Sequence, residues 1–318
     1  MDRLLKETRA YSLIKSESEN NTLSHAYLLL FNDGRNLKTA LKLFTICLFG
    51  FEKEERERKL VEEENFADCL FFPTDGKKLT VEDAEKIKEE CLLSPIEGDK
   101  KIFILSDFSE ANTQTQNKLL KLLEEPPKNV IFLLGATSAF SILPTVLSRT
   151  KKLEILPFDT KKVTECLFRI YQNKYDKDTL ALCAATSGGI VGEAQNILEG
   201  GFYKTLSESA FSLCLCESAH LPVIVKNVGE TKYKKELLSL IRLIFRDALL
   251  VKTGEKNLAG AILLKSETER IKKVAAAYSL DALLYAQSAI SKAELEVQFN
   301  AVFPQCIEIC MATIRAKK

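Results

Sequence analysis

Three short stretches hold the residues whose types and spacing could do chemistry. The first, "FNDGRNLKTA" (residues 31–40), sets Gly34, Lys38 and Thr39 just after an apolar run. A working phosphate-binding loop reads G-x-x-x-x-G-K-[ST] at such a place. Its glycines let backbone amides close around phosphates, its lysine meets the outer phosphates, and its hydroxyl holds Mg²⁺. With Lys38-Thr39 as the terminal pair, the glycine positions hold Asn32 and Leu37; moved by one, the register puts Leu37 at the lysine position. The loop is intact in neither, and Leu37 brings a branched side chain where the backbone must approach phosphate. Lys38 alone reads as a surface charge at a helix start.

The second stretch, "KIFILSDFSEAN", offers Ser106 and Asp107 at the end of an apolar run. A hydrolysing protein of this kind ends that strand with an acid for Mg²⁺ and usually a second to prepare the water. One carboxylate stands where two are wanted, and a lone aspartate there reads as a turn former. The third stretch, "ILPTVLSRTKKL", carries Ser148-Arg149. Arginine is a planar, permanently charged fork that fits phosphate oxygens better than lysine does. From the residues alone, Arg149 is either a solvated charge at a helix end or a group aimed at an anion.

Metal and thiol chemistry find little support. None of the nine cysteines forms a CxxC pair, and most sit in apolar periodic segments, as buried thiols in a reducing compartment would. The two histidines, His25 and His220, are too isolated for a zinc site or a catalytic triad. No metal and no cofactor are expected.

The elements that must position these residues follow from hydropathy. With 318 residues, 46% of them hydrophobic, the chain can bury a large core in two or three domains. Its net charge of +1 argues against a protein that binds by blanketing phosphates with its own charge. The longest apolar runs are strand-length, and the charged start "MDRLLKETRAYS" lacks the apolar core of a signal peptide, so a cytoplasmic protein is expected.

Strand-like and helix-like segments alternate from residue 26. The strands fall at 26–31, 67–73, 101–107, 129–137 and 153–158, and the helices at 37–49, 81–93 (capped by Thr80) and 112–125 (stopped by Pro126-Pro127). The charged run 52–65 is helix-compatible and solvent-facing. Runs apolar throughout, alternating with helices, predict a parallel sheet covered on both faces. After Phe158 the strands stop. Three short helices follow, then an all-helical remainder in which Leu237, Leu238, Ile241, Ile244, Phe245 and Leu249 share a face. Pro304 is expected to break or kink the last helix.

On the stretches "LSHAYLLL", "KIFILSDFSEANTQTQNKLLKLLEEPPKNVIFLL" and "ILPTVLSRT", the chain resembles the AAA+ subunits of the bacterial DNA polymerase III clamp loader, and among them those of the delta-prime type. The resemblance spans roughly residues 20–200 and continues loosely toward the C-terminus. It implies an α/β RecA-like AAA+ parallel-sheet domain (1–158), a three-helix lid (159–202) and an all-helical collar that oligomerises (203–318). In delta-prime-type members the phosphate loop is often lost and the Ser-Arg pair presents its arginine to ATP held by the next subunit, so Arg149 with Ser148 is the implied finger in trans. Glu193 stands where ATP-binding members carry a lid arginine. The zinc module of many relatives is replaced here by "FEKEERERKLVEEENF", with only Cys47 and Cys69 at its edges. The third residue of the family's Ser-Arg-Cys triplet is Thr150.

The implied protein has no ATPase activity of its own and acts within a DNA polymerase holoenzyme. Its partners are the clamp-loader ATPase subunits and the delta subunit, with the sliding clamp and primer-template DNA reached through the assembly and no membrane involved. Two other readings stay open: an active AAA+ ATPase with a divergent loop using Lys38, Thr39 and Asp107, and a stand-alone DNA-binding adaptor. Near-neutral charge and the lack of a basic-aromatic stripe count against the adaptor.

Overall fold

The computed structural model describes residues 1–74, 78–172, 174–254, 262–264 and 267–318. It divides into two compact units, Met1–Pro157 and Phe158–Lys318.

In the first unit, α1 (Asp2–Lys6) and α2 (Arg9–Glu19) precede β1 (Ala26–Phe31), α3 (Gly34–Phe49), α4 (Glu55–Glu62), β2 (Cys69–Phe72), α5 (Val81–Glu90), β3 (Lys101–Leu105), α6 (Thr113–Glu124), β4 (Val130–Ala136), the single turn α7 (Pro144–Leu147) and β5 (Lys151–Ile155). The five strands form one parallel sheet of order β2-β3-β4-β1-β5. β1 lies between β4 and β5, with Tyr27 opposite both Leu133 and Lys151. Every residue of β1, β3 and β4 is buried, because helices cover both faces.

On one face Leu28, Leu30, Phe103, Phe132 and Leu134 join Ile87 of α5, Leu119 and Leu123 of α6 and Val146 of α7 in one core cluster. On the other, α3 packs on β1 and β4 while α2 packs on α3 and β5. Gly135 belongs to that second face. A Cβ there would lie 2.7 Å from Cδ1 of the fully buried Leu41, so α3 approaches β4 as closely as it does only over a glycine. This is the RecA-like arrangement that the resemblance implied.

Thr80 caps α5 as expected, whereas the cap at α6 is not among the sequence expectations. Thr80 and Asp83 form a reciprocal capping box at α5, and Asn112 caps α6 by accepting from the backbone of Thr115 at 2.8 Å. Several boundaries need correction, among them the end of the helix expected at 81–93, which stops at Glu90. β5 runs over Lys151–Ile155, not 153–158: as an edge strand it exposes Lys151 and Lys152 and buries only Leu153 and Ile155, so its first residues look polar. The helix placed at 37–49 begins three residues earlier, at Gly34.

The second unit is helical throughout its described residues. α8 (Thr160–Tyr171), α9 (Lys177–Thr186) and α10 (Val191–Glu199) pack on one another. α11 (Tyr203–Leu215), α12 (Leu221–Val228), α13 (Lys234–Thr253), α14 (Thr268–Ala277), α15 (Leu280–Gln298) and α16 (Phe303–Arg315) follow. α13 touches α9, α11, α14 and α15, and the expected apolar face of Leu237, Leu238, Ile241, Ile244 and Phe245 lies in the core, with Leu249 partly buried against it. Pro304 sits in the first turn of α16, where its missing N–H costs nothing, so it starts a new helix and does not kink an old one. The periodic segment "KKELLSLIRLIFRDALLVKTGEK" predicts α13 over 234–256, of which residues 255 and 256 lie outside the described residues.

Candidate functional site

In a parallel sheet of this kind ligands bind beyond the carboxyl ends of the strands. There the expected loop at Asn32, Gly34, Leu37, Lys38 and Thr39 is not a loop: Gly34 to Thr39 are the opening turns of α3, and only Asn32 and Asp33 connect it to β1. Two residues cannot wrap a phosphate. Asp33, 2% exposed, caps the helix: its Oδ1 accepts from the Asn36 backbone at 3.1 Å and its Oδ2 from the Asn36 side chain at 2.9 Å. The helix end that would attract an anion already carries one from its own chain.

The remaining parts of the edge are turned to other uses. Leu37 is buried in the core. Lys38 points to Glu64, its Nζ 2.7 Å from Oε1, and Lys42 lies at the same distance from the same atom. Burial raises the Glu64 carboxyl, but the two lysines outweigh it and leave the group below its ordinary value. Thr39 and Asn32 face solvent. The Ser106 amide extends the ladder by donating to Phe72 O at 2.8 Å. Asp107 sits in the left-handed region at φ +47° and accepts from Ser109 Oγ at 2.7 Å. Ser109 in turn lies 3.4 Å from the Thr137 hydroxyl, and Thr137 stands next to Gly34, so the structure brings these residues together along one edge.

Arg149 is elsewhere. It precedes β5, whose first residue pairs with Tyr27 near the start of β1, whereas Asn32 follows the end of β1. The two sites lie at opposite ends of these neighbouring strands, about 15–20 Å apart by strand rise. Ser148 caps the C-terminus of α7, and its hydroxyl donates to Thr145 O at 3.1 Å. The guanidinium of Arg149 folds back over this turn. Nη1 donates to Thr145 O at 2.8 Å and to Ser148 Oγ at 3.2 Å, and Nη2 pairs with Glu124 Oε1 at 2.5 Å. The side chain keeps 32% of its exposure.

The ground under the arginine is firm. Lys151 pairs with Glu17, which is 7% exposed and also accepts from the Tyr27 hydroxyl at 2.6 Å. Gln116, 1% exposed, donates to Ser141 O at 2.9 Å and accepts from Leu143 N at 2.9 Å. His25, set aside in the sequence as an isolated histidine, lies 3.1 Å from Leu123 O through Nε2 and so anchors the end of α6 with that nitrogen as donor. Sequence reasoning missed Glu124, Gln116, Glu17 and His25, although Gln116 and Glu124 lie inside the stretch that carries the resemblance.

Among the described residues no group of three or more His, Cys, Asp or Glu is placed to hold a metal ion. Cys47 and Cys69 are buried, and burial pushes the Cys47 thiol up to about 12 and the Cys69 thiol higher still. Glu193 is exposed in the first turn of α10. Burial raises the Glu236 carboxyl, and the charge of Glu193 raises it further. That neighbourhood is the electrostatic opposite of an arginine reaching for a phosphate. Among the described residues no helix is long and apolar enough to cross a membrane.

A parallel sheet of this strand order, covered on both faces by helices, gives the class of fold. Comparisons with known proteins narrow it. Residues 6–159 match the family model described as "DNA polymerase III, delta subunit". The chain is 22% identical over 264 residues to the DNA polymerase III subunit delta' of Bacillus subtilis, covering 79% of each. It is 27% identical over 183 residues to the tau/gamma subunit of Haemophilus influenzae, covering 54% of this chain and 26% of that one. A DNA polymerase III gamma subunit-related protein from Thermotoga maritima superposes with a TM-score of 0.40 at 18% identity, covering 98% and 99% of the two chains. Over these stretches the chain is similar to the delta, delta-prime and gamma/tau subunits of bacterial DNA polymerase III.

Proposed function

We propose that the chain is a delta-prime-type, non-hydrolysing subunit of the clamp loader that supports loading of the sliding clamp onto primed DNA and lends Arg149 to ATP bound by a neighbouring subunit. The observation that carries this reading is the separation of Arg149 from the chain's own nucleotide edge. An arginine at the other end of the strands from its own chain's nucleotide position supports a role toward a phosphate held by another molecule. Supplied in trans, its fork stabilises charge developing on the transferring phosphoryl group, an effect of about 10³–10⁵ in rate in GTPase systems. Ser148 closes the turn that carries it.

The same reading divides the chain into a RecA-like part (1–158), a lid (159–202) and a collar (203–318) that joins the ATPase subunits and the delta subunit in a ring. Clamp and primer-template DNA are then met through the assembly. The test is equilibrium binding of a fluorescent ATP analogue with Mg²⁺ to the purified chain. No binding up to millimolar concentration is expected. Micromolar binding would overturn the reading and favour an ATPase with a divergent loop.

A further inference from the structure

We infer that Glu124 is a positioning residue for Arg149, holding the guanidinium in the pose from which it meets a partner's phosphate; this rests on the function proposed for Arg149. α7 is a single turn of four residues, too short to hold a conformation by itself. What fixes it is α6, which grips the segment at both ends. Gln116 holds residues 141 and 143 by backbone hydrogen bonds, and Glu124, two turns further along the same helix, holds Arg149. About 12 Å of helix thus spans the segment like a splint.

The arginine's contacts are divided in a way that suits this role. Thr145 O and Ser148 Oγ take Nη1, and Glu124 takes Nη2. An arginine has five N–H donors, and these three contacts leave Nε–H and part of the Nη2 edge for an incoming anion. A long, rotamer-rich side chain loses much entropy when it must be ordered at the moment of reaction; one already ordered loses less. The Glu124 pair is half in solvent, so its contribution to stability is small and its contribution is to orientation.

The experiment is DNA-stimulated ATP turnover by the ring reassembled from this chain and its clamp-loader partners, resolved into kcat and KM. Glu124→Ala is expected to lower kcat roughly two- to fivefold with KM unchanged. Glu124→Gln, whose amide oxygen still accepts an N–H, is expected to retain most of the rate. In an Arg149→Ala background Glu124→Ala adds nothing. Wild-type or faster turnover with Glu124→Ala, or a further loss on top of Arg149→Ala, overturns the positioning role while leaving the finger in place. Unchanged turnover with Arg149→Ala alone overturns both.

Discussion

Asp33 accepts the backbone N–H of Asn36 at 3.1 Å, so a buried carboxylate occupies the helix end where a nucleotide-binding relative would place phosphate. Asp33→Ala should cost about 0.5–2 kcal/mol of stability, the usual range for removing such a cap, measured by urea unfolding. It should bring no ATP binding, because the connection between β1 and α3 remains two residues long. A variant that binds ATP would show that the carboxylate, and not the missing loop, excludes the nucleotide.

Gly135 faces Leu41 across the contact between α3 and β4. Gly135→Ala would place a methyl 2.7 Å from a side chain that is fully buried and has nowhere to go. A loss of about 1–3 kcal/mol is expected in equilibrium unfolding, the scale of core overpacking. A neutral result would mean that α3 can move away from the sheet.

Asp247, fully buried on α13, accepts from the backbones of Leu263 at 3.0 Å and Leu264 at 2.8 Å through a single oxygen, Oδ2. Burial raises its carboxyl above the ordinary value, against the pull of those amides and of Arg246. With the folded value raised, the stability this group contributes is present at low pH and is lost as pH rises from the unfolded value, about 3.9, through the folded one. Asp247→Asn keeps an oxygen for both amides and never ionises. It should remove this loss, leaving thermal stability near neutral pH within about 1 kcal/mol of the parent or above it. Asp247→Leu leaves the buried Leu264 amide and the partly buried Leu263 amide without an acceptor and should cost about 1–4 kcal/mol in total. Equal losses from the two variants would contradict the account.

Much of the fold was legible in the sequence, and the reasons are specific. "AYLLLF" and "KIFIL" are apolar throughout because both faces of the sheet are covered, and α6 ends just before Pro126 as a stop there should make it. The start of α3 was misplaced because Gly34 and Asn36 have loop-like types, and only the Asp33 cap, three residues before the N–H it accepts, marks the helix. β5 was shifted because an edge strand can open on two exposed lysines. Of the site, Arg149 and the damaged loop could be found by motif. Glu124 could not: nothing local pairs it with a residue beyond the next strand, and the contact exists only because α6 and the turn before β5 end at the same edge of the sheet.

The central claim, that this chain lends Arg149 to another subunit's ATP, is tested most directly by Arg149→Ala and Arg149→Lys in the reassembled complex. Both should assemble and keep the parent's melting behaviour, since the side chain is a third exposed and its ion pair is worth little. Both should lower DNA-stimulated ATP turnover by about tenfold or more, because lysine lacks the planar fork. Full turnover by a correctly assembled Arg149→Ala complex would contradict the account.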